Sequence, residues 1–319
     1  MSLKRNRVLV VDKMHDSLET MFLKAGYVAD YRPEITPDEV HEIIHEYEGL
    51  VIRSKLNVYK ALLEKAVNLK FVARAGAGID KVDYPYLSQK GIKLLNAPEG
   101  NRDAVGEHAV GMLLSLLHNL NKGNKEVKSG KWDREGNRGW ELKGRTVGIY
   151  GFGFMGSSFA EKLRGFDCRV IFYDKYKTGI AHEWVEQVDL NTFLKEVEIL
   201  SIHIPLTSET RFLFDKPYLA GFPNLKVLIN TSRGEVLRLS AVNDLLESGQ
   251  LIGAGLDVLE NEKLNQLSTE EQREMERLRE KLNVILTPHV AGWTHESYQR
   301  INEVLISKLQ MEGLAHVNG

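Results

Sequence analysis

A chain of 319 residues has room for about two domains at the usual ~100–200 residues each. Its composition, 43% hydrophobic and 27% charged, is that of an ordinary globular protein, and a net charge of −2 argues against nucleic acid or an anionic membrane as the main partner. No apolar run approaches the ~20 residues that span a bilayer. Asp12, directly after "VLVV", speaks against a signal peptide, and the single cysteine, Cys168, excludes an intrachain disulfide and a cysteine-based zinc site. The chain therefore reads as cytoplasmic, with no metal expected.

From the N-terminus, Arg7–Asp12 reads as a short apolar strand and Ser17–Lys24 as a helix. "TPDE" at 36–39 has the form of a capping box: Thr36 caps, Pro37 suits the first helical position, and Glu39 reaches back. "GLVIRS" (49–54), "LKFVARAGAG" (69–78) and "IKLLNAP" (92–98) read as further strands. A long helix is predicted from about Asp103 to Asn121, where Val105, Ala109, Met112, Leu113, Leu116, Leu117 and Leu120 fall at helical spacing. A Gly-, Lys- and Trp-rich loop (122–144) leads into "RTVGIYGFGFMG". The pattern then repeats through "RVIFYD" (169–174), "ILSIHIP" (199–205), "KVLINTSRG" (226–234), "GAGLDV" (253–258) and "NVILTP" (283–288). Strands separated by helices imply parallel sheets with helices on both faces, hence an α/β fold. The last stretch, Thr294 to Leu314, is again helical and is expected to fold back on the first block. That gives a discontinuous first domain, 1–99 with 294–319, and a second domain at 100–293.

Gly151-Phe152-Gly153-Phe154-Met155-Gly156 fits G-x-G-x-x-G between a strand (Thr146–Tyr150) and a helix (157–164). The first glycine permits the tight turn, the second lets backbone approach a pyrophosphate, and the third lets helix and strand pack closely. Phe154 and Met155 lie inside the motif, where the helix N-terminus faces the phosphate. The next strand ends in Asp174, near the ~20-residue offset at which an acid binds the ribose 2′-hydroxyl. An anion there disfavours a 2′-phosphate and so favours NAD over NADP, with Lys175 and Lys177 close enough to soften the preference. The alternatives are a structural glycine turn or another Rossmann ligand such as S-adenosylmethionine.

Ligands of open α/β sheets bind beyond the carboxyl ends of the strands. That rule picks out Arg233 ("NTSRGE"), Asp257 ("GLDV"), Glu260 or Glu262, and His289 ("ILTPHVAG"). Hydride transfer between NAD and an alcohol or carbonyl needs a matching proton transfer, which histidine performs near neutral pH. A carboxylate on the other ring nitrogen fixes the tautomer, and an arginine grips a substrate carboxylate in bidentate fashion. Each residue alone has a bland reading as a cap, a surface charge or packing, but together they are hard to dismiss. The neighbours of His289, Ala291 and Gly292, are small and leave room for a ring.

"GFGFMG", "HIPLTSETR", "INTSRGEVL", "GAGLDVLENE" and "ILTPHVAGWT" together resemble the consecutive signatures of the D-isomer-specific 2-hydroxyacid dehydrogenases. The resemblance implies a flavodoxin-like substrate domain, an NAD-binding Rossmann domain, a cleft between them that closes over substrate, and a homodimer built around the long helix. It implies that Arg233 binds substrate, that His289 is the acid/base, and that Glu262 is its partner, with Glu260 the other candidate. Lys263 stands where that family usually has proline, and a charged helix-like stretch (268–282) follows. Thr231, Ser232, Asp257 and Gly292 are then expected around the nicotinamide, and His203 and Pro205 on the adenosine side.

For the substrate, "RAGAGID" (74–80) offers backbone N–H groups of Gly76, Ala77 and Gly78 as a nest for a carboxylate. Arg53 and Ser54 in "VIRS", Arg74, and Asn101 before the long helix add more cationic and polar groups than a simple aliphatic hydroxy acid needs. "VIRS" and "ARAGAGIDKVD" resemble the phosphoglycerate dehydrogenase branch of the family, which implies a phosphorylated hydroxy acid and a place in serine biosynthesis. A glyoxylate/hydroxypyruvate reductase is the enzymatic alternative, and an NAD(H)-sensing, corepressor-like binding protein is the alternative of another class. Trp293 is bulky beside the His289 segment and is expected to trim the pocket.

Overall fold

The structure, a computed structural model, describes residues 6–180 and 182–316. The chain divides into two compact units, Met1–Asn101 with Trp293–Gly319 and Arg102–Gly292. Each is an α/β layer structure in which every strand runs parallel to its neighbours.

The first unit holds β1 (Asn6–Val10), β2 (Tyr27–Tyr31), β3 (Gly49–Ile52), β4 (Phe71–Arg74) and β5 (Lys93–Asn96). Their order is β2-β1-β3-β4-β5, the flavodoxin-like order, and Val8 pairs with Gly49 across β1 and β3. One face is covered by an apolar cluster that includes Val40, Ile44, Leu62 and Leu63, the other by Leu18 and Phe22 with Ile301, Leu305 and Leu309 of the terminal helix His295–Met311. The expected capping box forms at Thr36 with Glu39, and a second one is present at Thr294 with Ser297. Strand β2, "YVADY", was not expected. It is an edge strand with mostly half-exposed residues and so carries no continuous apolar run.

The second unit holds β6 (Thr146–Tyr150), β7 (Arg169–Tyr173), β8 (Val185–Gln187), β9 (Ile199–Ile202), β10 (Val227–Asn230), β11 (Gly253–Leu256) and β12 (Val284–Leu286). The order β12-β11-β10-β9-β6-β7-β8 is the Rossmann order with one strand added at the edge. The short edge strand β8 also escaped the sequence reading, since "VEQ" has a single buried residue.

The long helix differs from expectation at both ends. It runs Pro98–Leu117, with proline at its first position, where a missing N–H is harmless. It stops before Asn119, which adopts a left-handed conformation (φ 52°) that asparagine tolerates better than most residues. A second helix, Leu120–Lys128, then occupies ground read as loop, and Leu120 is exposed instead of continuing the stripe. Val105 and Met112 are buried, and Leu116 packs on the core, so these are core residues and not spare surface for a second copy. Met112 and Leu116 explain the small residues of β11: a Cβ on Gly255 would lie 3.3 Å from Met112, and one on Gly253 would lie 3.2 Å from Leu116. Burying such side chains contributes ~1.5–3 kcal/mol apiece.

Candidate active site

The turn after β6 uses its three glycines for three different reasons. Gly151 has φ +95°, a conformation costly for any side chain, and a Cβ on Gly156 would run into the carbonyl oxygen of Gly151. A Cβ on Gly153 would meet nothing within 4 Å, so here the glycine keeps space open in front of the helix Phe154–Lys162. Phe154 is exposed in the first turn and Met155 half-buried. Asp174, one residue past β7, accepts from the N–H of Phe152 (2.8 Å), Tyr176 (3.0 Å) and Lys177 (3.1 Å), tying its own loop to the glycine loop. The two lysines are already engaged, Lys175 with Glu209 and Lys177 with the Phe152 carbonyl.

His203, just past β9, is buried against Phe159, and its Nε2 pairs with the Ser201 hydroxyl at 2.8 Å. Burial pushes its pKa down to about 3, so the ring is neutral. Pro205 is exposed, its carbonyl accepting from Thr210 at 2.7 Å. At the end of β10, the fully buried Asn230 accepts from both the N–H and the hydroxyl of Ser232 and donates to the Arg233 carbonyl, shaping the turn that carries Thr231, Ser232 and Arg233. Asn230 was missed in the sequence, although a polar residue ending the apolar run "VLIN" was its signal. The Arg233 guanidinium donates to the Ser232 carbonyl at 2.7 Å. Gly234 follows because a Cβ there would collide with the backbone of Leu259, so this turn lies against the segment that carries the two candidate acids.

Of those acids, Glu262 is the one on His289, with Oε1 2.9 Å and Oε2 3.1 Å from Nδ1. Glu260 turns away into a largely buried position, where burial raises its pKa. It caps the N–H of Leu239 and pairs with Arg238 at 3.3 Å. Where the resembled family has proline after the acid, this chain bends its loop with an Asx turn: Asn261 accepts from the N–H of Lys263 (2.9 Å) and donates to Glu271. Glu271 is the capping-box residue of the charged helix, which runs Thr269–Arg279.

His289 itself has φ +56°. Asp257, expected beside the nicotinamide, is 1% exposed and binds this turn. Its carboxylate accepts from Val290 (2.9 Å), Ala291 (2.8 Å) and the Thr287 hydroxyl (2.6 Å), and its carbonyl accepts from the N–H of His289 (2.8 Å). Its observed part is to brace the turn, because both oxygens face that turn from inside the protein. Gly292 follows, half-buried.

In the first unit, Arg53 and Asp12 follow β3 and β1, the switch point of that sheet, where flavodoxin-like folds bind their ligands. Asp12 holds the Arg53 backbone N–H at 2.7 Å, and the guanidinium lies over Trp293, 3.0 Å from its ring centre. Burial lowers the Arg53 pKa to about 10, which still leaves it a cation at neutral pH. Among the described residues no oxygen accepts from its guanidinium. Ser54 gives its carbonyl to Lys81. The Arg74 guanidinium lies against Gly76 (φ +137°), and the N–H groups of Gly76, Ala77 and Gly78 donate to no described protein atom. Trp293, expected to trim a pocket, serves as the platform for Arg53.

Buried polar atoms without partners are rare in folded proteins. Here they include Oδ1 of Asn101, Nδ1 of His203 and Oγ1 of Thr231, three of the residues singled out in the sequence. Within the second unit, the open space at Gly153 and the orphaned atoms of His203 and Thr231 leave polar groups that a dinucleotide could satisfy. Among the described residues there is no His/Cys/Asp/Glu cluster suited to a metal, and no helix is long and apolar enough to cross a membrane.

The sequence model for the D-isomer specific 2-hydroxyacid dehydrogenase NAD binding domain matches residues 110–291. A hydroxypyruvate reductase from Thermotoga maritima is 34% identical over 310 residues, 97% of this chain and 98% of that protein. A D-3-phosphoglycerate dehydrogenase from Synechocystis is 33% identical over 296 residues, 91% of this chain but 51% of that protein. The chain thus spans about half the length of such phosphoglycerate dehydrogenase relatives. Among solved structures, a D-lactate dehydrogenase from Aquifex aeolicus, complexed with NAD and lactic acid, superposes with TM-score 0.79 at 26% identity and covers 97% of this chain and 96% of its own.

Gly153→Ala should fold normally yet weaken NADH binding tenfold or more, ~1.4 kcal/mol, by titration of NADH fluorescence. Gly156→Ala should instead lower the melting temperature. His203 has a folded pKa of about 3 against 6.5 unfolded, so only the unfolded state takes up its proton between those values. Stability is therefore complete above pH 6.5 and falls as pH drops toward 3, by up to ~1.4 kcal/mol per pH unit. In urea unfolding between pH 7 and 5, His203→Asn should lose less stability than the wild type by that margin.

Proposed function

We propose that this chain, which belongs to the D-isomer-specific 2-hydroxyacid dehydrogenases and so catalyses NAD-dependent oxidation or reduction, acts on a 2-hydroxy acid with an anionic tail. The pair that fits best is D-3-phosphoglycerate and 3-phosphohydroxypyruvate, which would put the enzyme in serine biosynthesis. The observation that carries the reading is Arg53: a half-buried guanidinium over the Trp293 ring whose donors no described oxygen accepts. Arg74 lies nearby in sequence, beside the amides of Gly76, Ala77 and Gly78, which suit the substrate carboxylate.

NAD, when bound, takes the hydride from C2 or returns it. Gly151, Gly153, Phe154, Met155 and Gly156 would hold its pyrophosphate, and Asp174 its ribose. With Lys175 and Lys177 engaged elsewhere, no lysine of that loop is left to welcome a 2′-phosphate, which supports NAD over NADP. His203 and Pro205 would line the adenosine side, and Thr231, Ser232 and Gly292 the nicotinamide. Glu262 holds Nδ1 of His289, so Nε2 accepts the hydroxyl proton as C2 is oxidised. The imidazolium that forms is stabilised by the same carboxylate. Arg233 binds the carboxylate and polarises the emerging carbonyl. Asn101 would complete the substrate side.

A second reading, a glyoxylate or hydroxypyruvate reductase, is favoured by the match to the Thermotoga protein, which extends over nearly the whole of both chains. NADH formation from D-3-phosphoglycerate, D-glycerate and D-lactate separates the two, with His289→Gln as the blank. The phosphate reading expects phosphoglycerate to lead by at least ~100-fold in kcat/KM and Arg53→Ala to remove most of that lead. Equal rates on glycerate would leave the second reading standing. No turnover on any acid, with tight NADH binding, would point to an NAD(H)-sensing protein.

We further propose a homodimer. Leu120, Val127, Trp132 and Trp140 are exposed large apolar side chains on the segment after the long helix. Sedimentation should give twice the 36.2 kDa chain mass, reduced toward one chain by Trp132→Glu with Val127→Glu.

A further inference from the structure

The turn that presents His289 is built on three successive backbone N–H groups, of residues 289, 290 and 291, all donated to Asp257. Those of Val290 and Ala291 reach its carboxylate and that of His289 its backbone carbonyl, so two adjacent amides hold an anion that is a side chain of the same unit. The carboxylate is almost fully buried, so the turn keeps its shape only while that charge is well solvated by donors. The third donor to the carboxylate is the Thr287 hydroxyl, 2.6 Å from Oδ1, a length typical of a charge-assisted bond.

A hydroxyl has a single proton. The Thr287 proton goes to Asp257, because an ionised carboxylate only accepts. The second neighbour of the Thr287 oxygen, Nε2 of His108 at 3.1 Å, must therefore be a donor. The same nitrogen lies 3.7 Å from Oδ1 of Asp257. His108 stands on the helix Pro98–Leu117, far in sequence from the turn, and neither the cofactor loop nor the proposed proton transfer uses it.

We propose that His108 is a positioning residue for the reaction. Its Nε2–H fixes the Thr287 hydroxyl on Asp257, and Asp257 in turn holds the left-handed backbone that aims His289. It touches neither cofactor nor substrate and acts through these two residues. The inference rests on the reading of His289 as the acid/base.

The test compares His108→Leu, which removes the donor, with His108→Gln, whose side-chain N–H can replace it. Two readouts are taken on the full chain: hydrogen–deuterium exchange of the peptide containing Val290 and Ala291, and steady-state reduction of hydroxypyruvate with NADH. His108→Leu should speed amide exchange and lower kcat by about tenfold each, with the Kd for NADH changed less than about twofold. His108→Gln should restore both to within about threefold of wild type. Thr287→Val should reproduce the leucine variant, and Thr287→Ser the wild type. Unchanged exchange in His108→Leu, or a glutamine variant no better than the leucine one, overturns the proposal. If His289→Gln turns over like the wild type, the acid/base reading fails instead, and the exchange result still decides whether His108 holds the turn.

Discussion

Every strand of both sheets runs parallel to its neighbours, and the chemistry of this protein follows from that constraint. A parallel sheet is covered on both faces, so its strands are nearly all apolar, as "VLIN" and "GLVI" are, and no strand interior can offer a reactive group to solvent. Within each unit all strands also end on one edge. The residue just past each strand is then the first able to carry charge. Arg53, Asp174, His203, Thr231, Asp257 and Thr287 all occupy that position.

Loops at such an edge must still satisfy their backbone N–H groups, and buried side chains at the strand ends do this. Asp12 follows β1 and takes the amides of Arg53 and Lys55 from the neighbouring strand's loop. Asn230 ends β10 and closes the turn that displays Arg233. Asp257 follows β11 and takes the whole turn after β12. In each case a strand end supports a loop that carries candidate site residues, so these loops are held from the sheet. A left-handed histidine costs of order 1–3 kcal/mol and persists only because Asp257 over-determines it.

The region between β11 and β12 shows how a local departure is absorbed. Without a proline after Glu262, the bend comes from Asn261, and Asn261 is in turn anchored by the capping residue of the helix Thr269–Arg279. Glu260 anchors the loop from its other side, through the N–H of Leu239. The two acids are only two residues apart, yet one is buried as a cap and the other is presented to His289.

The parallel α/β class, the glycine turn between strand and helix, and the placement of Arg233 and His289 in loops that follow strands were legible in the sequence. They depend on local rules: apolar runs of fixed length, glycine where a side chain cannot fit, and polar residues at strand ends. What is weakly local was not legible. The edge strands β2 and β8 carry too little apolar pattern, and the break at Asn119 depends on a single residue's tolerance of a left-handed backbone. Only the tertiary structure set Glu262 on the His289 ring and turned Glu260 to the N–H of Leu239, put Arg53 on Trp293 about 240 residues away, and turned Asp257 inward. Those outcomes depend on which chain segments meet at a sheet edge, and hydrogen bonds between segments far apart in sequence leave no periodic mark within either one.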